Sequence, residues 1–197
     1  MGFPVEKFKR IKTPFYYYDI ALLQATLDAI RHEIAQHPNY HVHYALKANA
    51  NPRLLEVIQQ AGLGADCVSC GEVQRAIEAG FPADKVVYAG VGKSDREILL
   101  ALQHDIFCFN VESIPELQVI NELAEREGKV ARVCLRINPD VEAHTHTHIV
   151  TGMAENKFGI ALADMMTVVE MVNELPHVSF EGLHFHIGVY LRRDSTQ

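Results

Sequence analysis

His41-Val42-His43-Tyr44-Ala45-Leu46, then a helical pattern over 52–61, then Gly64-Ala65-Asp66-Cys67-Val68, read as strand, helix and second strand. Two parallel strands need a crossover between them, and a helix is the usual one, so this unit predicts a parallel sheet. Working outward, the rhythm persists. Further short apolar runs fall at 15–18, 85–89, 106–110, 130–137 and 180–187, with helical patterns at 20–36, 71–80, 94–103, 113–127 and 161–174. One strand–helix unit recurs every roughly 20–25 residues, the pattern of an α/β domain. Ser94-Asp95-Arg96-Glu97 and Ser113-Ile114-Pro115-Glu116 supply helix starts, each a capping Ser with a Glu in the first turn. Gly62, Gly80 and Gly128 stand where helices should end. Residues 138–160 form a long stretch without periodicity, which predicts a functional or mobile loop.

Two architectures fit this rhythm, an open doubly wound sheet and a (β/α)₈ barrel. The open sheet favours G-x-G-x-x-G after the first strand, and none occurs there. Gly90-Val91-Gly92-Lys93-Ser94 lacks the four-residue spacing of a phosphate loop. These absences weaken a nucleotide-binding open sheet and leave the two architectures side by side; the runs supply strand material for about six barrel strands, which would make a (β/α)₈ barrel incomplete.

The chain has 197 residues, 48% of them hydrophobic, and a formal charge of −7. With no basic run, it predicts no nucleic-acid partner. The charged N-terminus and the lack of a long apolar run predict neither signal peptide nor membrane partner, and a cytoplasmic location. Gly2 lacks the Ser or Thr that a myristoylation signal requires. Cys67-x-x-Cys70 has redox or zinc spacing, but no second pair follows, so Cys67, Cys70, Cys108 and Cys134 read as buried, reduced thiols.

Period-two alternation sorts each strand into faces. Val42, Tyr44 and Leu46 oppose His43, Ala45 and Lys47. Val133, Leu135 and Ile137 oppose Arg132, Cys134 and Arg136, and Leu183, Phe185 and Ile187 oppose Gly182, His184 and His186. The apolar faces call for covering helices. On the opposite faces Lys47, Asp66, Arg136 and His186 fall at or near strand C-termini, the rim where barrel enzymes place reactive groups. Each has a plainer reading: Lys47 solvated, Asp66 a turn cap, Arg136 an ion-pair partner of Asp66 or Glu72, His186 a core histidine. Four such outcomes on one face and at one end would be a coincidence.

Tyr44-Ala45-Leu46-Lys47-Ala48-Asn49 resembles the cofactor-lysine motif of barrel-type pyridoxal phosphate decarboxylases, and Gly64-Ala65-Asp66-Cys67-Val68-Ser69-Cys70-Gly71-Glu72 resembles their second-strand motif. Ile137-Asn138-Pro139-Asp140-Val141, Thr151-Gly152, Asn156-Lys157-Phe158-Gly159-Ile160 and Gly182-Leu183-His184-Phe185-His186-Ile187-Gly188 resemble the diaminopimelate decarboxylases. The resemblance implies pyridoxal 5'-phosphate as cofactor, meso-2,6-diaminopimelate as the amino-acid substrate, L-lysine as product and a homodimer. It implies that Lys47 carries the cofactor, His186 stacks on its ring, Asp66 lies near its Lys47 end, and Arg136 and Glu72 line the pocket. A partly desolvated site would favour the neutral, nucleophilic lysine.

The resemblance stops at Gly188, where the family continues Ser-Gln and this chain has Val189-Tyr190. The expectation is a barrel domain over 1–188 and a divergent polar tail over 189–197, in a truncated or frame-shifted and poorly active form. The remaining barrel strands and the family's C-terminal β-domain would be missing. Two alternatives stand beside it. One is a non-catalytic barrel that only binds pyridoxal phosphate. The other is a metal-dependent barrel hydrolase using His184 and His186, with His144, His146 and His148 nearby in sequence.

Overall fold

A computed structural model describes residues 3–139 and 158–186. The chain divides into two compact units, Met1–Tyr40 and His41–Gln197.

In the first unit, α1 (Val5–Phe8) precedes α2 (Ile20–Gln36). The Asp19 carboxylate caps α2 by accepting from the Leu22 amide at 3.1 Å. The strand expected at 15–18 does not form. The segment is extended but joins no sheet. Its aromatic run is used in ring packing instead: Phe8 lies 5.3 Å from Phe15 and 5.0 Å from Tyr17, while Tyr16 and Tyr18 stack. Aromatic alternation signals a strand only where a partner edge exists.

The second unit holds β1 (His43–Ala45), α3 (Pro52–Gln60), β2 (Gly64–Cys67), α4 (Cys70–Glu78), β3 (Val86–Tyr88), α5 (Asp95–Gln103), β4 (Cys108–Val111) and α6 (Ile114–Arg126). There follow β5 (Ala131–Asn138), the two-residue β6 (Ile160–Ala161), α7 (Met165–Glu174) and β7 (Val178–His184). Helices α3 to α6 begin where a local signal puts them. Asn51 caps α3 with Pro52 behind it, Ser69 caps α4, Ser94 and Glu97 form a capping box on α5, and Ser113 with Pro115 starts α6.

The strands line up in chain order, β1-β2-β3-β4-β5, and β7 pairs with β5. Every pairing is parallel, and β6 joins β5 only at its end. A doubly wound sheet reverses strand order at its middle; strictly sequential order is the barrel's. Six strands of a barrel are thus present, as the sequence rhythm requires.

The core lies between the strands' apolar faces and the helices. Val133, Leu135 and Ile137 are buried against them together with Leu55, Ile98 and Ile120, while Arg132, Cys134 and Arg136 are half-buried on the other face. Both flanks depart from that rule, for Val42 before β1 is 37% exposed. On β7 and just beyond it, Leu183 and Phe185 are 40% and 46% exposed, where the alternation calls for a covering helix. All four cysteines are free thiols; Cys67 and Cys108 are buried, whereas Cys70 and Cys134 are only half-buried because each sits at a helix start or on the interior face. Among the described residues, no helix is long and apolar enough to cross a membrane.

Candidate active site

Register alone brings the polar groups together. Ala45 pairs with Asp66 across β1 and β2, so Lys47, two residues on in a short 3-10 turn, stands at the carboxyl end beside Asp66. On the far side, Arg136 pairs with His184. That pairing depends on a bulge: Val133 faces Phe180, but the next residue, Cys134, faces Gly182. The extra residue, Glu181, is taken up with Gly182 at φ +152°, a conformation that L side chains rarely adopt. Without it Arg136 would face Leu183; bulges near functional sites re-aim side chains in this way.

Lys47, Asp66, Arg136, His184 and His186 line one cavity of about 430 Å³, within the range of small-molecule sites. All four residues expected at the rim, Lys47, Asp66, Arg136 and His186, are therefore gathered. Glu72 is not among the lining residues: its Oε2 accepts from the Val68 amide at 2.8 Å, and its own amide donates to the Ser69 capping oxygen. It serves the start of α4, because a residue three past a capping Ser is drawn back to the free amides there. Its charge still reaches Asp66.

Burial pushes the Asp66 carboxyl above the usual carboxylate range; the Lys47 charge opposes the rise, and Glu72 adds to it. Burial and the Arg136 guanidinium both hold His184 and His186 below the ordinary imidazole value, with Lys47 adding to the effect at His186. Both rings are therefore neutral at physiological pH. The buried His184 Nδ1 has no hydrogen-bond partner among the described residues.

The partner of Arg136 is neither Asp66 nor Glu72. Its Nη1 lies 2.8 Å from each carboxylate oxygen of Glu112, whose side chain is 3% exposed. Phe158 presents its ring 5.6 Å from the guanidinium carbon. Gly159, at φ +98°, lies so close that a Cβ there would sit 2.8 Å from the Arg136 carbonyl oxygen. Glu112 is the residue the strand reading missed. Extending the 106–110 run by two residues puts Cys108, Asn110 and Glu112 on one alternating face, with Glu112 at the same end as Arg136.

Among the described residues, no three His, Cys, Asp or Glu side chains meet as a metal site requires, so His184 and His186 gain no third ligand. His144, His146 and His148 lie outside the described residues, as do Asp140-Val141, Thr151-Gly152, Asn156-Lys157, Ile187-Gly188 and the tail over 189–197.

The sequential parallel strands and the cavity at their carboxyl ends, with a lysine amine, a paired arginine and two imidazoles, form a barrel-type cavity whose donors are suited to an anionic small molecule. The chain belongs to the family of the pyridoxal-dependent decarboxylase, pyridoxal binding domain, whose profile matches residues 21–194. It is 61% identical over 186 residues to the diaminopimelate decarboxylase of Bacteroides thetaiotaomicron, covering 94% of this chain and 48% of that one. It is 42% identical to the Aquifex aeolicus diaminopimelate decarboxylase, covering 89% of this chain and 41% of the relative. The crystal structure of the Helicobacter pylori diaminopimelate decarboxylase complexed with L-lysine superimposes with a TM-score of 0.85 at 39% identity, over 93% of this chain and 46% of that one. The chain spans somewhat under half the length of the relatives it matches.

The residues fit the cofactor that the family name implies. Pyridoxal phosphate is an anionic aromatic aldehyde, and this cavity offers a primary amine, a cation and a buried imidazole nitrogen still lacking a partner.

Proposed function

We propose that this chain forms the cofactor-binding barrel of a diaminopimelate decarboxylase, which converts meso-2,6-diaminopimelate to L-lysine. The observation that carries the reading is the single cavity shared by Lys47, Asp66 and His186. The 61% identity to a diaminopimelate decarboxylase supports the choice of substrate. Bound there, pyridoxal phosphate supplies a ring that accepts the electron pair left when a carboxylate departs as CO₂.

The chain's own groups do the rest. Lys47 Nζ would hold the cofactor through its aldehyde and is placed to accept or return a proton. Asp66 places a carboxyl group beside that amine, its pKa raised above the usual carboxylate range by burial. Neutral His186 offers a flat, uncharged ring for stacking. Arg136 places a fixed positive charge in the wall for an anionic oxygen. A homodimer and a cytoplasmic location belong to the same reading, which the resemblance to the family supports.

Borohydride reduction in the presence of pyridoxal phosphate, followed by peptide mapping, tests it. Label is expected on Lys47. Label spread over surface lysines such as Lys7 and Lys12, with Lys47 unmodified, overturns the reading.

A further inference from the structure

Glu112 ties together two separate walls of the cavity. Its carboxylate receives Arg136 Nη1 through both oxygens at 2.8 Å and the Gly90 amide through Oε1 at 3.1 Å. Both Arg136 and Gly90 line the cavity. Glu112 is itself fixed, because its amide donates to Glu116 Oε2 at 2.8 Å. Glu116 Oε1 accepts from Lys93 Nζ at 2.6 Å, and the same ammonium donates to the Gly90 and Asn110 carbonyls at 2.8 and 3.0 Å. The Lys93 side chain is 1% exposed and lies over the Tyr88 ring at 5.2 Å. Two buried ion pairs therefore join the loop after β3, the end of β4, the first turn of α6 and the end of β5.

A buried pair used only for stability gains little over apolar packing. This one has a direction. Its inner end is closed, with all three Lys93 donors used, and its outer end is a guanidinium on a ligand cavity. We propose that Glu112 is a positioning residue: it holds Arg136 and the Gly90 loop in place so that the guanidinium meets an anionic oxygen of the bound ligand. That oxygen belongs either to the pyridoxal phosphate or to the carboxylate of an amino-acid substrate. The inference rests on the proposed function for the identity of the ligand, but not for the geometry.

One measurement needs no ligand. His186 is faced by Arg136 from β5, Lys47 from the turn after β1, Asp66 from β2 and Glu112 from the end of β4; Arg136 outweighs Glu112 in its effect. Glu112→Gln is expected to release Arg136, so the His186 imidazole, followed by NMR, titrates at higher pH than in the unsubstituted chain. Titration at lower pH, or unchanged, means Arg136 stays without Glu112 and overturns the proposal. A purely structural role lowers the melting temperature without raising this titration. Should Glu112→Gln not fold, Glu112→Asp keeps the charge, shortens the reach and is expected to raise the titration less.

The second measurement is binding, with pyridoxal phosphate alone and then with L-lysine added. A loss of about tenfold in Glu112→Gln is expected in one step, and the step affected identifies the source of the anion. No loss in either overturns the proposal. If the unsubstituted chain takes up no pyridoxal phosphate, the functional reading fails while the titration still decides Glu112.

Discussion

Along β4 every residue from Cys108 to Val111 is buried, whereas at the end of β7 Leu183 and Phe185 keep 40% and 46% of their surface exposed. The same contrast runs through the polar rim. Arg136 is held from behind by Glu112, Glu116 and Lys93, while Lys47 is exposed in its short turn. Buried contacts are thus concentrated between β3 and β5, and the amine of Lys47 and the imidazole of His186 fall at the ends of the flanking strands. Substitutions on the two sides should separate function from folding.

The largest effect is expected from Lys47→Ala. On the proposed function, loss of the amine should slow covalent attachment of added pyridoxal phosphate at this site by about 10²–10⁴-fold, the scale of a lost acid–base or nucleophilic group. An exposed side chain should leave stability within about 0.5 kcal/mol. Parallel kinetics and urea melts check both halves, and a collapse of the melt would place Lys47 with the folding residues. Lys93→Met should behave in the opposite sense. It strands the Glu116 carboxylate, 10% exposed, without its cation, and should cost about 3–5 kcal/mol in the same melts. A cost under about 1 kcal/mol would mean that the buried network contributes little to the fold.

This division explains which parts were legible in the sequence. Period-two alternation located β2 through β5 and put Lys47, Asp66, Arg136 and His186 at one end, because face and end are local properties of a strand. The partner of Arg136 was not local. Asp66 and Glu72 stood in a recognisable motif and attracted the pairing, yet Glu72 is bound to the start of α4 and Glu112 comes from the neighbouring strand. Residues 15–18 failed for a related reason, since alternation cannot reveal whether an edge exists to pair with. The bulge at Glu181 was also invisible, although alternation within 182–186 still gave His184 and His186 a common face.

The three depressed histidines give a pH dependence. His43, His184 and His186 all lie below 6.5 in the folded chain, chiefly through burial. The unfolded chain therefore takes up protons first on acidification. Stability should be fully present above about pH 6.5 and be lost as pH falls from there through the folded values. Asp66, raised above 3.8, acts in the opposite sense at lower pH, where the folded chain takes up its proton first. Urea midpoints at pH 7.5 and 5.5 should show the lower value at 5.5. His184→Asn should narrow the gap, and an unchanged gap would remove His184 from the account.

The smallest effect is expected at Phe185, and it bears most directly on the contrast between strands. Phe109 in β4 is 2% exposed, so Phe109→Ala should cost about 3–5 kcal/mol through lost burial and the cavity left behind. Phe185 is 46% exposed, and Phe185→Ser should change stability by no more than about 0.5 kcal/mol. The two substitutions remove the same aromatic ring, so a gap of several kcal/mol between them, larger than an exposed Ala-to-Ser change, measures covering. If Phe185→Ser cost as much as Phe109→Ala, its ring would have to be covered in solution, and the flank carrying His186 would be as closed as the centre of the sheet.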